Sequence, residues 1–196
     1  LHLMAQPKFG DRDNNLLHAL RRIQGAYTLV IMGESEIIGV RDPHGFRPLS
    51  IGKLDGAYVF SSETCALDLI HAQFVRDVEP GEVVIIDKNG LRSFKIDEHH
   101  DKKAMCVFEY VYFARPDSCL EGRNVSYVRI EMGRQLAREF PAEADVVIPV
   151  PDSGNYCALG YAEEAGIPYR QAFVRNHYIG RTFLQPTQLI RDFNVR

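Results

Sequence analysis

No apolar run in this 196-residue chain approaches the roughly 18 residues that a membrane-spanning helix requires. Basic charge is not in excess either. There are 23 Lys and Arg against 26 Asp and Glu, a net charge of −3, so the electrostatic footprint of a nucleic-acid binder is missing. The four cysteines (Cys65, Cys106, Cys119 and Cys157) are irregularly spaced and form no C-x-x-C pair. That argues against a zinc knuckle and gives no support to a disulfide framework, leaving a reduced, cytoplasmic protein as the expectation. Each thiol reads first as a small buried apolar residue. The opening stretch LHLMAQPKFGDRD lacks both the signal-peptide pattern and an initiator Met, so the chain is expected to begin in mid-sequence or to have been trimmed. Internal repeats and low-complexity tracts are absent. At 45% hydrophobic and 25% charged, the composition is that of a globular protein with one large domain or two smaller ones.

The most informative stretch present is Asp145–Gly154, DVVIPVPDSG. Its apolar run, bounded by turn residues, predicts a strand buried on both faces, as in a parallel sheet. Asn155–Ala165 is compatible with a helix stopped by Gly166 and Pro168. The order is strand, loop, helix. Loops at the carboxyl ends of such strands are where open α/β sheets bind ligands. Backbone N–H groups, the Ser153 hydroxyl and a helix N-terminus together suit an anion such as phosphate. Any α/β protein contains units of this kind, so the loop alone decides nothing.

In the first hundred residues the pattern is different. Asp13 is the expected N-cap of a helix reaching Ile23, with Leu16, Leu17, Leu20 and Ile23 on one face. Ala26–Met32 and Glu36–Val40 read as a hairpin about Gly33-Glu34-Ser35. RDPHGFRPL, Arg41–Leu49, is an irregular charged loop. Ile51-Gly52 and Ala57–Phe60 suggest strands, Thr64–His71 a short helix, and Glu82–Ile96 a hairpin with a type I′ signature at Asn89-Gly90. Mostly antiparallel strands with a helix or two make this an α+β pattern. Asp97–Lys103 (DEHHDKK) is the linker candidate. His99 and His100 there read as solvated, with metal ligation as the alternative. Beyond it, Phe108–Ala114 reads as an apolar strand, Val125–Phe140 as an amphipathic helix, and Tyr169–Val174 as another strand. The second half is thus α/β.

Four stretches carry a resemblance. RDPHGFRPL followed by SSETCALD resembles the second half of the glutaminase domain of class II (N-terminal-nucleophile) amidotransferases. CVFEYVYFARPDS, Cys106–Ser118, resembles the junction after that domain in the glutamine phosphoribosylpyrophosphate amidotransferase family. DVVIPVPDSG looks like the pyrophosphate-side loop of that family's type I phosphoribosyltransferase domain. VRNHYIGRTFLQP, Val174–Pro186, is similar to its loop that closes over phosphoribosylpyrophosphate (PRPP). The first motif leaves several amidotransferases open; the last three are specific, and all four stand in the family's order.

The resemblance implies part of a four-layer αββα glutaminase domain over residues 1–103. It implies the opening half of a parallel-sheet phosphoribosyltransferase domain over 104–196. The implied activity is glutamine-dependent transfer of ammonia to PRPP, giving 5-phosphoribosylamine, the first committed step of purine biosynthesis. Ser153 matches the position used at the magnesium–PRPP site, and a hydroxyl is a plausible oxygen contact for Mg²⁺. Its alternative is the N-cap of the following helix. Arg175, His177, Tyr178, Gly180 and Arg181 match the PRPP lid, in which Arg side chains can grip phosphate oxygens. Cys106 matches a cysteine that in some members ligates a [4Fe–4S] cluster; a buried thiol is the alternative. Arg115–Ser118 reads as structural, and Arg41, Asp42 and Arg47 as a loop-internal ion pair near the glutamine pocket. The implied ligands are glutamine, PRPP and inhibitory purine nucleotides, and the implied assembly is a homo-oligomer. The family's nucleophile, an N-terminal Cys, has no counterpart, since position 1 is Leu and no Cys precedes Cys65. The chain as written is therefore expected to be an internal piece that catalyses neither half-reaction. Two alternatives stand beside this one: a non-catalytic PRPP- or nucleotide-sensing regulator, and another class II amidotransferase.

Overall fold

The computed structural model describes residues 2–5, 10–97, 102–178, 180 and 182–195. His99, His100 and Arg181, weighed above, lie outside the described residues. The chain divides into two compact units, Leu1–Val128 and Arg129–Arg196.

The first unit is built of four layers. Helix α1 (Arg12–Arg22) lies on a sheet of four antiparallel strands, ordered β1 (Thr28–Met32), β2 (Glu36–Arg41), β6 (Glu82–Asp87) and β7 (Gly90–Lys95). A second antiparallel sheet has the order β4 (Ala57–Ser61), β3 (Ser50–Leu54), β5 (Gln73–Asp77). Helix α2 (Thr64–Leu69) covers its outer face through Leu67, which packs close to Gly52. The strand period of two sorts the core. Ile38, Val40, Val83 and Ile85 face Leu16 and Leu20 of α1, while Val84 joins Leu49, Ile51 and Val78 between the sheets. Gly39 faces the second sheet as well, and a Cβ there would sit 2.4 Å from the Phe60 ring, so the sheets approach closely only because the position is glycine.

Several expectations need correcting. The N-cap of α1 is Asp11, whose carboxylate accepts from the Asn14 N–H at 2.8 Å; Asp13 lies inside the first turn. The two glycine turns behave differently from their sequence signatures. Asp55 and Gly56, at φ 48° and 87°, have the paired positive φ of a type I′ turn, whereas at Asn89-Gly90 only Gly90 does. β5 was not foreseen. Phe108–Ala114 is not a strand: Glu109–Phe113 is a π-helical turn. Glu109 interrupts the apolar run and is buried against Arg47, which fixes a helical rather than an alternating disposition.

In the second unit, α3 (Val125–Glu139), which begins in the first unit, packs through its later turns on α4 (Asn155–Ala165). Gly166, at φ 67°, closes α4 in the left-handed conformation expected of a C′ glycine. The helices touch backbone to backbone. A Cβ on Gly133 would lie 2.0 Å from the Cys157 carbonyl oxygen, and one on Gly160 2.0 Å from that of Ile130. Arg134–Glu163 at 2.8 Å and a two-pronged Arg138–Glu164 pair edge the contact.

Asp145–Val150 does not form the expected buried strand. A single parallel bridge, Val147 to Tyr169, marks the pairing, and Tyr169–Val174 is otherwise irregular. A strand buried on both faces needs neighbours along both edges. Among the described residues this segment has one, and Val150 is 73% exposed. Helix α5 (Gln188–Val195) was not foreseen. No helix among the described residues is long and apolar enough to cross a membrane.

Candidate functional sites

In the first unit the loop Arg41–Leu49 is held from within. Arg41 is 1% exposed, and its guanidinium donates to the carbonyls of Arg47 (2.9 Å), Val78 (2.8 Å) and Gly45 (3.0 Å) and to Glu121 Oε1 (2.9 Å). Asp42, equally buried, accepts from the N–H groups of His44 at 2.9 Å and Phe46 at 3.0 Å. The expected ion pair among Arg41, Asp42 and Arg47 is therefore not formed. Asp42 is spent on loop backbone, and Arg41 on backbone carbonyls of and beyond the loop and on the Glu121 carboxylate, where the alternative would be unsatisfied polar groups.

Arg47 is left projecting. It pairs with the buried Glu109 carboxylate, and its guanidinium carbon lies 4.6 Å from the centre of the Phe113 ring. Burial lifts the Glu109 carboxyl above the ordinary carboxylate range, with Arg47 pulling the other way. These side chains line an open cleft of about 810 Å³ beside the edge strands β1 and β4 of the two sheets, with Tyr27, Phe60, Ser61 and Glu63. The Tyr27 phenol is pushed up to about 12 by burial and by Asp42. Glu63, from the SSE motif, accepts from the Arg115 N–H at 2.8 Å and the Ser118 hydroxyl at 2.7 Å. Sequence reasoning passed over Glu63 and Glu109; for Glu109, a lone carboxylate inside the apolar run Val107–Phe113, the signal was there, because buried carboxylates are rarely unpaired.

The second unit's site is open by contrast. The Pro151–Asp152 peptide is cis, and the turn closes with the Gly154 N–H donating to the Val150 carbonyl at 3.1 Å. Ser153 is exposed, and the N-cap position of α4 is Gly154 with no side-chain cap bond. The alternative role of Ser153 as helix cap is thus not taken up, and its hydroxyl faces solvent. Arg175 Nη1 reaches Asp152 Oδ2 at 3.1 Å, with both side chains about half exposed. That contact joins the turn to the segment holding the expected lid. Asp152 was not singled out from the sequence. His177 and Gly180 are exposed, and Tyr178 is fully so, its N–H donating to Asn176 Oδ1 at 3.0 Å.

No group of three His, Cys, Asp or Glu side chains placed to hold a metal exists among the described residues. Magnesium carried by a phosphate ligand asks less than that, since one or two protein oxygens and water suffice. An exposed Ser153 beside Asp152 fits. A [4Fe–4S] cluster asks for four thiolates. Cys106 is half-buried and its N–H donates to the Phe46 carbonyl at 2.9 Å, but the described residues bring no such set together.

No family model matches the chain. Individual proteins do. It is 50% identical over 200 residues to an amidophosphoribosyltransferase of Rhizobium etli, an alignment covering 100% of this chain and 40% of that protein. It is 52% identical over 180 residues to one of Mycobacterium bovis, covering 92% of the chain and 34% of the relative. A chloroplastic amidophosphoribosyltransferase of Glycine max is 49% identical over 197 residues. Two solved structures are alike in fold. One is described as the allosteric regulatory enzyme of purine biosynthesis, with a TM-score of 0.91, 45% identity and coverage of 100% of this chain and 42% of that one. The other is the glutamine PRPP amidotransferase of B. subtilis complexed with ADP and GMP, with a TM-score of 0.90. The chain thus spans 34–40% of the length of these curated relatives.

Proposed function

We infer that the chain, a member of the amidophosphoribosyltransferase family by sequence and by fold, serves in the glutamine-dependent transfer of ammonia to PRPP. In this reading residues 1–103 contribute to glutamine hydrolysis. Residues 104–196 contribute to the displacement of pyrophosphate from C1 of PRPP by ammonia, giving 5-phosphoribosylamine and the first committed step of purine biosynthesis. The observation that carries it is a single alignment, 50% identical, that runs through both units without leaving either out. A sensor with only a phosphoribosyltransferase fold would match one unit, and another class II amidotransferase only the other.

The chemistry of the second step is displacement at an oxocarbenium-like carbon. It asks the protein for positioning, stabilisation of the departing pyrophosphate and exclusion of water. Arg175, His177, Tyr178, Gly180 and Arg181 are assigned to a lid that orders over PRPP, with Arg175 exchanging Asp152 for a phosphate oxygen. Ser153 is assigned as an oxygen contact for Mg²⁺, which would neutralise pyrophosphate charge. Cys106 remains a candidate [4Fe–4S] ligand on resemblance alone, and no step here depends on it. Purine nucleotides are proposed as inhibitors, a second copy of the chain as partner and the cytoplasm as compartment, the soybean relative being chloroplastic.

Glutamate release from glutamine by the longest native polypeptide containing this segment, with and without PRPP and Mg²⁺, tests the reading. Release that rises with PRPP, accompanied by pyrophosphate, is the expected result. PRPP binding without glutamate release would favour a sensor, and release indifferent to PRPP would remove the lid and Ser153 assignments.

A further inference from the structure

The two motifs that resemble a glutaminase domain do something specific here: they grip the segment 104–121. Two backbone bonds lay it on the loop, from the Ala104 N–H to the His44 carbonyl at 2.8 Å and from the Cys106 N–H to the Phe46 carbonyl at 2.9 Å. Arg47 then holds Glu109 and covers the Phe113 ring. Glu63, from the other motif, takes the Arg115 N–H and the Ser118 hydroxyl. Beyond Glu121 the same chain runs directly into α3 and on into the second unit. Arg47, Glu63, Glu109 and Phe113 all border the one cleft.

Stability alone does not account for the choice of residues. Burying a carboxylate against a cation is usually no better than packing apolar groups of the same size, so a Glu109–Arg47 pair is a poor way to glue down a segment. It is a good way to hold a segment in one of two discrete positions, because a pair that separates must find new partners or water. π-helical turns, such as Glu109–Phe113, are also frequent at functional sites. The loop side of the clamp is rigid, since Arg41 and Asp42 are committed to its backbone.

We propose that Arg47 and Glu109 are positioning residues of a clamp on segment 104–121, and that this clamp ties glutamine hydrolysis in one unit to PRPP occupancy in the other. The proposal rests on the function inferred above. Neither residue touches a reacting atom. They act by fixing the covalent path along which the state of the second unit is felt in the first.

The test uses the full-length native protein carrying this segment, with the variants Glu109→Gln and Arg47→Lys. Glu109→Gln keeps shape and removes charge; Arg47→Lys keeps charge and loses the planar contact with Phe113. Three quantities are measured: PRPP stimulation of glutamate release, the pyrophosphate-to-glutamate ratio, and PRPP consumption driven by added ammonium chloride. A positioning role predicts that the ammonium-driven reaction persists, the pyrophosphate-to-glutamate ratio drops, and PRPP stimulation falls about fivefold or more, the lower end of coupling between linked sites. Folded variants that keep the wild-type stimulation and ratio would overturn the clamp. If neither variant folds, hydrogen exchange on the wild-type protein decides. Protection of the Ala104 and Cys106 amides should change when PRPP is added, and unchanged protection alongside PRPP-stimulated hydrolysis overturns the proposal. A wild-type protein without PRPP-dependent glutamate release would instead remove the inferred function beneath it.

Discussion

Two loops rich in arginine, one in each unit, started from similar sequence and ended in opposite physical states. In Arg41–Leu49 the first arginine is almost wholly buried and bonded to three backbone carbonyls as well as to the Glu121 carboxylate. In Val174–Pro186 the first arginine is about half exposed and keeps one ion pair, to Asp152. The difference lies in what surrounds each loop. Arg41 ends an inner strand of a sheet that packs on a second one, so its charge has to be satisfied by the backbone and the Glu121 carboxylate around it. Arg175 follows an irregular segment with one bridge to a neighbour, so water and the half-exposed Asp152 satisfy it. A buried arginine is thus part of the scaffold, and an exposed one is available for chemistry.

The comparison can be broken most sharply at Arg41. Arg41→Met leaves its carbonyl partners and Glu121 without a donor, and a loss of about 3–5 kcal/mol in chemical denaturation of the chain is expected. A loss below about 1 kcal/mol would mean that water replaces the guanidinium and the loop is not held by it.

Next in size is the close contact between α3 and α4. Gly160→Ala places a methyl against the Ile130 carbonyl, which as backbone cannot swing aside, so about 1–3 kcal/mol is expected. The readout is the thermal midpoint of the chain, with Ala158→Gly as a control for helix propensity. A neutral Gly160→Ala would show that the helices separate freely.

A smaller, pH-dependent effect is expected at Glu82. Burial pushes its carboxyl up, but the two-pronged Arg76 pair at 2.8 Å and the Glu79 N–H outweigh burial, and its value ends below the ordinary range. With the folded value lower than the unfolded one, the group's contribution is fully present above the unfolded value of about 4.3 and is lost as pH falls through the folded value. Glu82→Gln should therefore flatten the acid limb of a stability–pH profile. An acid limb identical to wild type would assign acid sensitivity elsewhere.

The smallest stability effect belongs to Arg175. Arg175→Ala should cost no more than about 0.5 kcal/mol, as exposed ion pairs do. On the function inferred here it should weaken PRPP binding by about tenfold, the worth of one hydrogen bond to a charged group. Unfolding by this variant, or unchanged PRPP affinity in the full-length protein, would erase the contrast between the two loops.

Much of the first unit was determined by sequence alone. The β-rich runs Glu36–Val40 and Glu82–Asp87, bounded by turn residues, were enough to place its hairpins, because strand propensity and turn chemistry are local properties. α4 was legible for the same reason, with Gly166 marking its end. Tertiary structure decided the rest. Glu109 turned an apolar run into a π-helical turn, a result that depends on Arg47, 62 positions earlier, which no local pattern reveals. Val146–Val150 carried the composition of a buried strand, yet its state depends on neighbours along both edges. Composition identified the charged loops, and only packing settled which arginine was buried against backbone and which stayed exposed, since burial is a property of the fold.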